Sequence, residues 1–265
     1  MATCSIIAYD NAIDKGTLAI QSCSPSADTT ENAFFPVSNI QLQEPHHCFK
    51  PTVETDTTCV LRLTLSADED IDTFFIIGHP INGLIPTTVT IRTYSDAFVT
   101  LQSTDVFTGF NTGERVGFGQ FASTQTTSHV EIEITAVGGN LALCNMFLGQ
   151  DIGTNRGFPT GFRSGKDDKS KFRSGRYGHK FTDKISVKPK NMDVKFNNTN
   201  QTERLLFDTM FDFVGTTENV YIMADSSEAN KEIWGGVFTI RRYPSTTHPT
   251  YRLYSYASIK FEEVI

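Results

Sequence analysis

Apolar side chains return at every second position through most of residues 57–149, and this period decides what the chain can become. In 57–65 (TTCVLRLTL) the apolar side is Val60, Leu61, Leu63 and Leu65, and in 87–94 (TTVTIRTY) it is Val89 and Ile91. In 129–135 (HVEIEIT) Val130, Ile132 and Ile134 form one face, Glu131 and Glu133 the other. A period of two places successive side chains on opposite faces of a strand, so each segment reads as a half-buried strand. The unbroken apolar run at 73–78 reads as a strand buried on both faces. Further short strands are expected at 5–9, 17–22, 116–122 and 141–149. Many short strands without a helix longer than about two turns predict an antiparallel β-sandwich, a jelly roll, over residues 1–150. With 21 Phe and 8 Tyr against one Trp, the aromatic content also favours strands.

Charge divides the chain in two. Residues 1–150 hold 5 Lys and Arg against 16 Asp and Glu, whereas 151–265 hold 18 against 14. The excess is concentrated in 156–195, with 12 basic and 4 acidic residues. Within this region Phe162-Arg163-Ser164-Gly165 recurs ten residues later as Phe172-Arg173-Ser174-Gly175. A stretch so rich in Gly, Ser and charge reads as a basic arm over 151–180 rather than as core. One helix is expected at 202–214 (TERLLFDTMFDFV), with Leu206, Met210, Phe213 and Val214 at helical spacing. Asn200 or Gln201-Thr202 caps it, Glu203 suits its positive end and Gly215 stops it. Its apolar face, Leu206, Met210 and Phe213, is expected to pack on a sheet from strands at 180–188, 192–196, 219–224, 233–241 and 252–264. The domains are therefore 1–150, the arm, and a β domain with one helix at 181–265.

Five cysteines with no C-x-x-C spacing read as reduced, mostly buried thiols. The N-terminus has no basic region followed by an apolar run, and no apolar stretch approaches the roughly 18–20 residues of a membrane span, so a soluble protein made in a cytoplasm is expected.

Catalytic and metal sites are hard to build from this sequence. It has no G-x-S-x-G, H-E-x-x-H or G-x-G-x-x-G. Residues 161–166 (GFRSGK) are one residue short of a phosphate-binding loop, and Asp167 stands where Ser or Thr would bind magnesium. His46-His47-Cys48 reads as a surface loop, since adjacent residues on an extended chain point apart. The acidic run 68–72 (DEDID) lacks the spacing of a calcium loop and reads as a solvated turn. The chain is read as a non-enzyme with no metal and no cofactor.

The arm is the main candidate site. Arg156, Arg163, Lys171, Arg173 and Arg176 alternate with Phe158, Phe162, Phe172 and Tyr177. Arg and aromatic residues dominate interface energies. In an extended chain Phe162 and Phe172 fall on the same side, roughly 33 Å apart, which suits two equivalent pockets on a neighbouring copy. A solvated loop and a nucleic-acid grip are the alternatives. The overall charge of −7 weighs against nucleic acid as the main partner.

Several segments of the first half fall in the order of a known family. They are Phe35-Pro36-Val37-Ser38-Asn39-Ile40, a strand over 59–65, Ile71-Asp72-Thr73-Phe74-Phe75-Ile76-Ile77-Gly78-His79, and Thr88-Val89-Thr90-Ile91-Arg92. Residues 1–150 thus resemble the N-terminal domain of many bacteriophage tail and minor structural proteins, itself similar to galactose-binding, discoidin-like jelly rolls. The family's "GHN" is interrupted here by Pro80-Ile81 before Asn82. The resemblance implies a virion structural protein of a tail or tail tip, located in the virion, joining copies of itself and other virion proteins in a repeated assembly. The alternative it implies is a carbohydrate-binding module that attaches to a host glycan.

Overall fold

The computed structural model describes residues 6–42, 47–78, 86–108, 110, 116–136, 141–152, 163–166, 171–174, 180–183, 189–196, 200–224, 235–242, 246–250, 253–256 and 259–264. In chain order the elements are β1 (Ile6–Ala8), α1 (Ala12–Lys15), β2 (Thr17–Ser24), a 3-10 turn (Val37–Gln41), β3 (Thr58–Ile77), β4 (Thr88–Tyr94), β5 (Leu101–Thr108), β6 (Val116–Thr135) and β7 (Asn145–Gly149). After these come β8 (Arg163–Lys166), β9 (Lys171–Ser174), β10 (Lys180–Asp183), β11 (Lys190–Val194), α2 (Gln201–Val214), β12 (Val220–Met223), β13 (Gly235–Arg242), β14 (Thr246–Thr250), β15 (Leu253–Tyr256) and β16 (Ile259–Glu263). The mainly β, antiparallel character expected from the alternation is what forms. The chain divides into two compact units: Met1–Gly157 with Asn219–Val237, and Phe158–Glu218 with Phe238–Ile265. The segment containing β12, expected with the C-terminal domain, belongs to the first unit.

In the first unit β3 and β6 are 20 residues each and pair antiparallel along their length. Their ladder shifts register between Thr64 and Glu69 and again between Ile71 and Thr73. Before the shifts β3 lies between β2 and the second half of β6, with β4 and β5 continuing the sheet. After them β3 lies between the first half of β6 and β7. The acidic run 68–72, expected as a turn, is thus inside a continuous strand. The shifts have a purpose visible in the parity of the core: Cys59, Leu61, Leu63 and Leu65 are odd, whereas Phe74 and Ile76 are even, and all are buried in one cluster. A bulge moves the alternation by one residue and keeps the same side of the strand turned inward. β6 changes parity likewise, from Phe121 to Val130, Ile132 and Ile134. Two glycines open the space this needs, since a Cβ at Gly117 or Gly119 would overlap Ile76 or Phe74.

The other face of β3 carries a second aromatic cluster. Phe75 lies 5.0 Å from Phe118 between ring centroids, and Phe147 lies 4.6 Å from Tyr221 on β12. The buried Tyr221 hydroxyl donates to Asn145 Oδ1 at 2.6 Å, and burial pushes its pKa up. β12 pairs antiparallel with β1. One expectation fails in this unit: Cys48 and Cys144 form a disulfide rather than two thiols. Their separation of 96 residues hid the pairing, because sequence spacing carries no signal for it.

In the second unit β16 pairs with β13 and β11, and β11 with β8. Helix α2 has the expected cap: Asn200 Oδ1 accepts from the Glu203 amide at 2.8 Å, and Glu203 Oε2 accepts from the Asn200 amide at 2.9 Å. Its buried face is the expected one at Met210 and Val214 and differs at Leu206 and Phe213. Phe207, Met210, Phe211 and Val214 are buried, whereas Leu206 and Phe213 are exposed. Phe196, just after β11, meets Phe207 at 4.6 Å and draws that face inward.

A candidate ligand-binding face

The polar side of the β3–β6–β4 ladder is where the first unit gathers charged and aromatic groups. Register sets the arrangement. Arg62 pairs with Glu131 and Glu131 with Arg92, while Thr64 pairs with His129 and His129 with Tyr94. Alternation turns Leu61, Leu63, Val130, Ile132 and Ile91 into the core, so their neighbours must emerge on the opposite face. Glu131 accepts from Arg62 Nε at 3.0 Å and from Arg92 Nη1 at 3.2 Å, and Glu133 accepts from Arg92 Nη2 at 2.8 Å. The hydrogen bond and charge of Glu133 hold the Arg92 pKa above its ordinary value.

A loop folds over one end of this ladder. Between β4 and β5, the Asp96 carboxylate accepts from the amides of Val99 at 3.1 Å and Thr100 at 2.7 Å, and from the Thr100 hydroxyl at 3.0 Å. These bonds, the Thr100 amide foremost, hold the Asp96 pKa below the usual carboxylate value. The turn forces Phe98 to a φ of 63°, a conformation that costs free energy for a residue with a side chain. In return the ring lies back on the sheet. Its centroid is 5.5 Å from Tyr94 and 5.1 Å from His129, both edge-to-face, and 4.6 Å from the Arg62 guanidinium carbon. Phe98, Tyr94 and His129 remain partly exposed. The result is an aromatic corner beside a row of alternating guanidinium and carboxylate groups. Such a surface offers an apolar ring face together with planar donors and acceptors. Among the described residues no group of His, Cys, Asp and Glu side chains is placed to hold a metal ion.

The sequence alone marks none of these groups as a site. Glu131 and Glu133 read only as the outer face of a strand, and Phe98 carries no signal because its role depends on the backbone of its turn. Of the residues expected to form an interface, Arg163, Lys171, Phe172 and Arg173 lie in the second unit. Arg163 begins β8, a fully exposed strand that pairs with β11 on one side and ends the strand order among the described residues. Lys171, Phe172 and Arg173 belong to β9, which pairs with β10 so that Phe172 opposes Thr182. The stretch expected as an arm therefore contains regular strands. Arg156, Phe158, Phe162, Arg176 and Tyr177 lie outside the described residues. Arg163 borders an open groove of about 430 Å³ with Asn191, Asp193, Arg241, Lys260 and Glu262.

No protein-family model matches the sequence, and no curated protein does. Among solved structures the chain is similar to the family 32 carbohydrate-binding module of C. perfringens NanJ in complex with galactose, with a TM-score of 0.42, 15% identity and coverage of 54% of this chain and 98% of that one. It is also similar to a second module from Clostridium perfringens, CpGH89CBM32-5, in complex with GalNAc-β-1,3-galactose, with a TM-score of 0.41, 14% identity and coverage of 53% and 100%. A third is chitosan-binding module 2 of a chitosanase/glucanase from Paenibacillus sp. IK-5, in complex with chitotriose, with a TM-score of 0.41, 12% identity and coverage of 53% and 100%. Each of these three is described as a carbohydrate- or chitosan-binding module.

Proposed function

We propose that the first unit is a non-catalytic carbohydrate-binding module and that its ligand lies against the face formed by Phe98, Tyr94, His129 and Arg62. The observation that carries this reading is the position of Phe98, held by the Asp96 turn beside an arginine–glutamate row. A sugar ring has one face of C–H groups that packs on an aromatic ring, and hydroxyls that both donate and accept. Arg62 commits only its Nε to Glu131 among the described hydrogen bonds, so its terminal amino groups are suited to a pair of neighbouring hydroxyls. The sugars bound in the similar modules, galactose, GalNAc-β-1,3-galactose and chitotriose, set the first panel to try. A glycan array then widens it. A bound sugar raises the melting temperature, because a ligand at about 100 times its Kd adds roughly 2.7 kcal/mol to the native state. The rise is expected in the unaltered chain and lost in Phe98→Ala and Arg62→Ala. Absence of any response across the array would sink the reading.

A second reading is favoured by β8. It is a basic, exposed strand with one side unpaired among the described residues, and such an edge can add a strand from another copy. On this reading the arm, with Arg163, Lys171 and Arg173, joins copies in a repeated assembly such as a phage tail. Light scattering of the chain lacking residues 161–175 tests it: normal assembly of a folded deletion variant would rule the arm out as an interface.

A further inference from the structure

Cys23 and Cys59 face each other across the first sheet. Cys23 is the second-last residue of β2, and the β2–β3 register makes Cys59 its direct partner. Both are buried, at 4% and 0% exposure, and their sulfurs are 2.9 Å apart. That is closer than the roughly 3.5–4.0 Å at which non-bonded heavy atoms ordinarily rest. The backbone agrees with the side chains. The Cys23 amide donates to Asp28 O at 2.9 Å, so it is not spent on Cys59. The two residues are thus a pair that exchanges no backbone hydrogen bonds, the kind of antiparallel pair whose side chains approach most closely. The same unit already contains the Cys48–Cys144 disulfide.

We propose that Cys23 and Cys59 are a second cross-linking site, closed by exchange with a low-molecular-weight disulfide. The Cys23 thiolate attacks one sulfur of the small disulfide and expels the other as a thiolate, leaving a mixed disulfide on Cys23. Cys59 loses its proton, attacks the Cys23 sulfur and expels the second small thiolate. Both protein thiols are oxidised to one disulfide, the small disulfide is reduced to two thiols, and the two protons pass to the departing thiolates. The order of attack follows from the surroundings. The hydrogen bond between the two thiols lowers the Cys23 pKa, while the same bond and burial raise that of Cys59. Cys23 is also near the end of β2, which ends the strand order of its sheet among the described residues, so local opening admits the reagent there first.

The cross-link has a topological effect. Cys48 lies between Cys23 and Cys59 in sequence, and its own partner Cys144 lies beyond both. The two bonds interlace, and the long connection from β2 to β3, which carries the 3-10 turn and the exposed Phe34, is tied at both ends and near its middle.

The test counts thiols. The full chain is incubated with oxidised glutathione, unfolded without reductant, alkylated with iodoacetamide and weighed intact. Its peptides are then mapped. Five cysteines in two pairs leave one alkylated thiol, with a peptide joining Cys23 to Cys59. Three or more alkylated thiols, a lasting glutathione adduct on Cys23 or Cys59, or a cross-link from either cysteine to another partner would each overturn the proposal.

Discussion

Arg62 and Arg92 share one carboxylate: Glu131 stands between them in register, 3.0 Å from Arg62 Nε and 3.2 Å from Arg92 Nη1. Its side chain keeps only 11% of its exposure, so the charge is largely removed from water. Glu131→Ala leaves two guanidinium groups, on the strands either side of β6, without the anion between them. Like charges and an unmet desolvation cost act together, and a loss of about 2–3 kcal/mol is expected. Urea unfolding of Glu131→Ala and of Glu131→Ala with Arg92→Ala measures it. The double variant should recover part of the loss, and a double variant no better than the single one would contradict the shared-charge account.

Gly119 is expected to tolerate no side chain. A Cβ there would overlap the rings of Phe74 and Phe107, which fill the core beneath β6. Gly119→Val should cost about 2 kcal/mol or more, at the level of core overpacking. Gly165, whose Cβ would meet nothing within 4 Å, is the control, and Gly165→Ala should leave the melting temperature nearly unchanged.

The two sides of α2 should respond oppositely to charge. Met210 is fully buried and Leu205 is 59% exposed. Met210→Asp places an unpaired carboxylate in the second unit's core and should destabilise it by several kcal/mol. Leu205→Asp should change stability by less than about 0.5 kcal/mol. Equal melting behaviour of the two variants would mean that the buried face of the helix is assigned wrongly.

Acid should loosen the Phe98 turn before the sheet beneath it. The Asp96 pKa is depressed in the folded chain, so its stabilising bonds are fully present above the ordinary carboxylate pKa of about 3.9 and are lost as pH falls through the lower folded value. Asp96→Asn retains one acceptor and removes the charge, so it should abolish this acid-dependent change. Amide exchange at Val99 and Thr100, followed between neutral and acidic pH, reports it. Protection, measured relative to the intrinsic exchange rate at each pH, that falls equally in the Asn variant would exclude Asp96 as the cause.

The strands, the sandwich and the capped helix were legible because each rests on local periodicity or a short capping pattern. The Asn200 cap and Glu203 sit within four residues of one another and could be read directly. What was not legible depends on distant chain. The helix face turned on Phe196, which lies outside the helix and selects Phe207. The continuity of β3 through its acidic run depended on bulges that pairing with β6 creates. Phe98 became part of a site only through a left-handed turn, and its neighbours Arg62, Tyr94 and His129 arrive from three different strands. Charged residues drew attention to the arm, yet the charges that form a ladder are those placed opposite each other by register.

The β3–β6 ladder also sets the order in which this unit can come into being. It begins nearest in sequence at Ile77 and Val116 and runs outward to Thr58 and Thr135. Zippering from that inner end completes one layer's rungs and then, past the bulges, starts those of the other. Neither layer has a full set of strands until the same two segments have met along their whole length. The contact of Thr58 with Thr135 is far more distant in sequence than that of Ile77 with Val116, and such non-local rungs are the kind that slow folding.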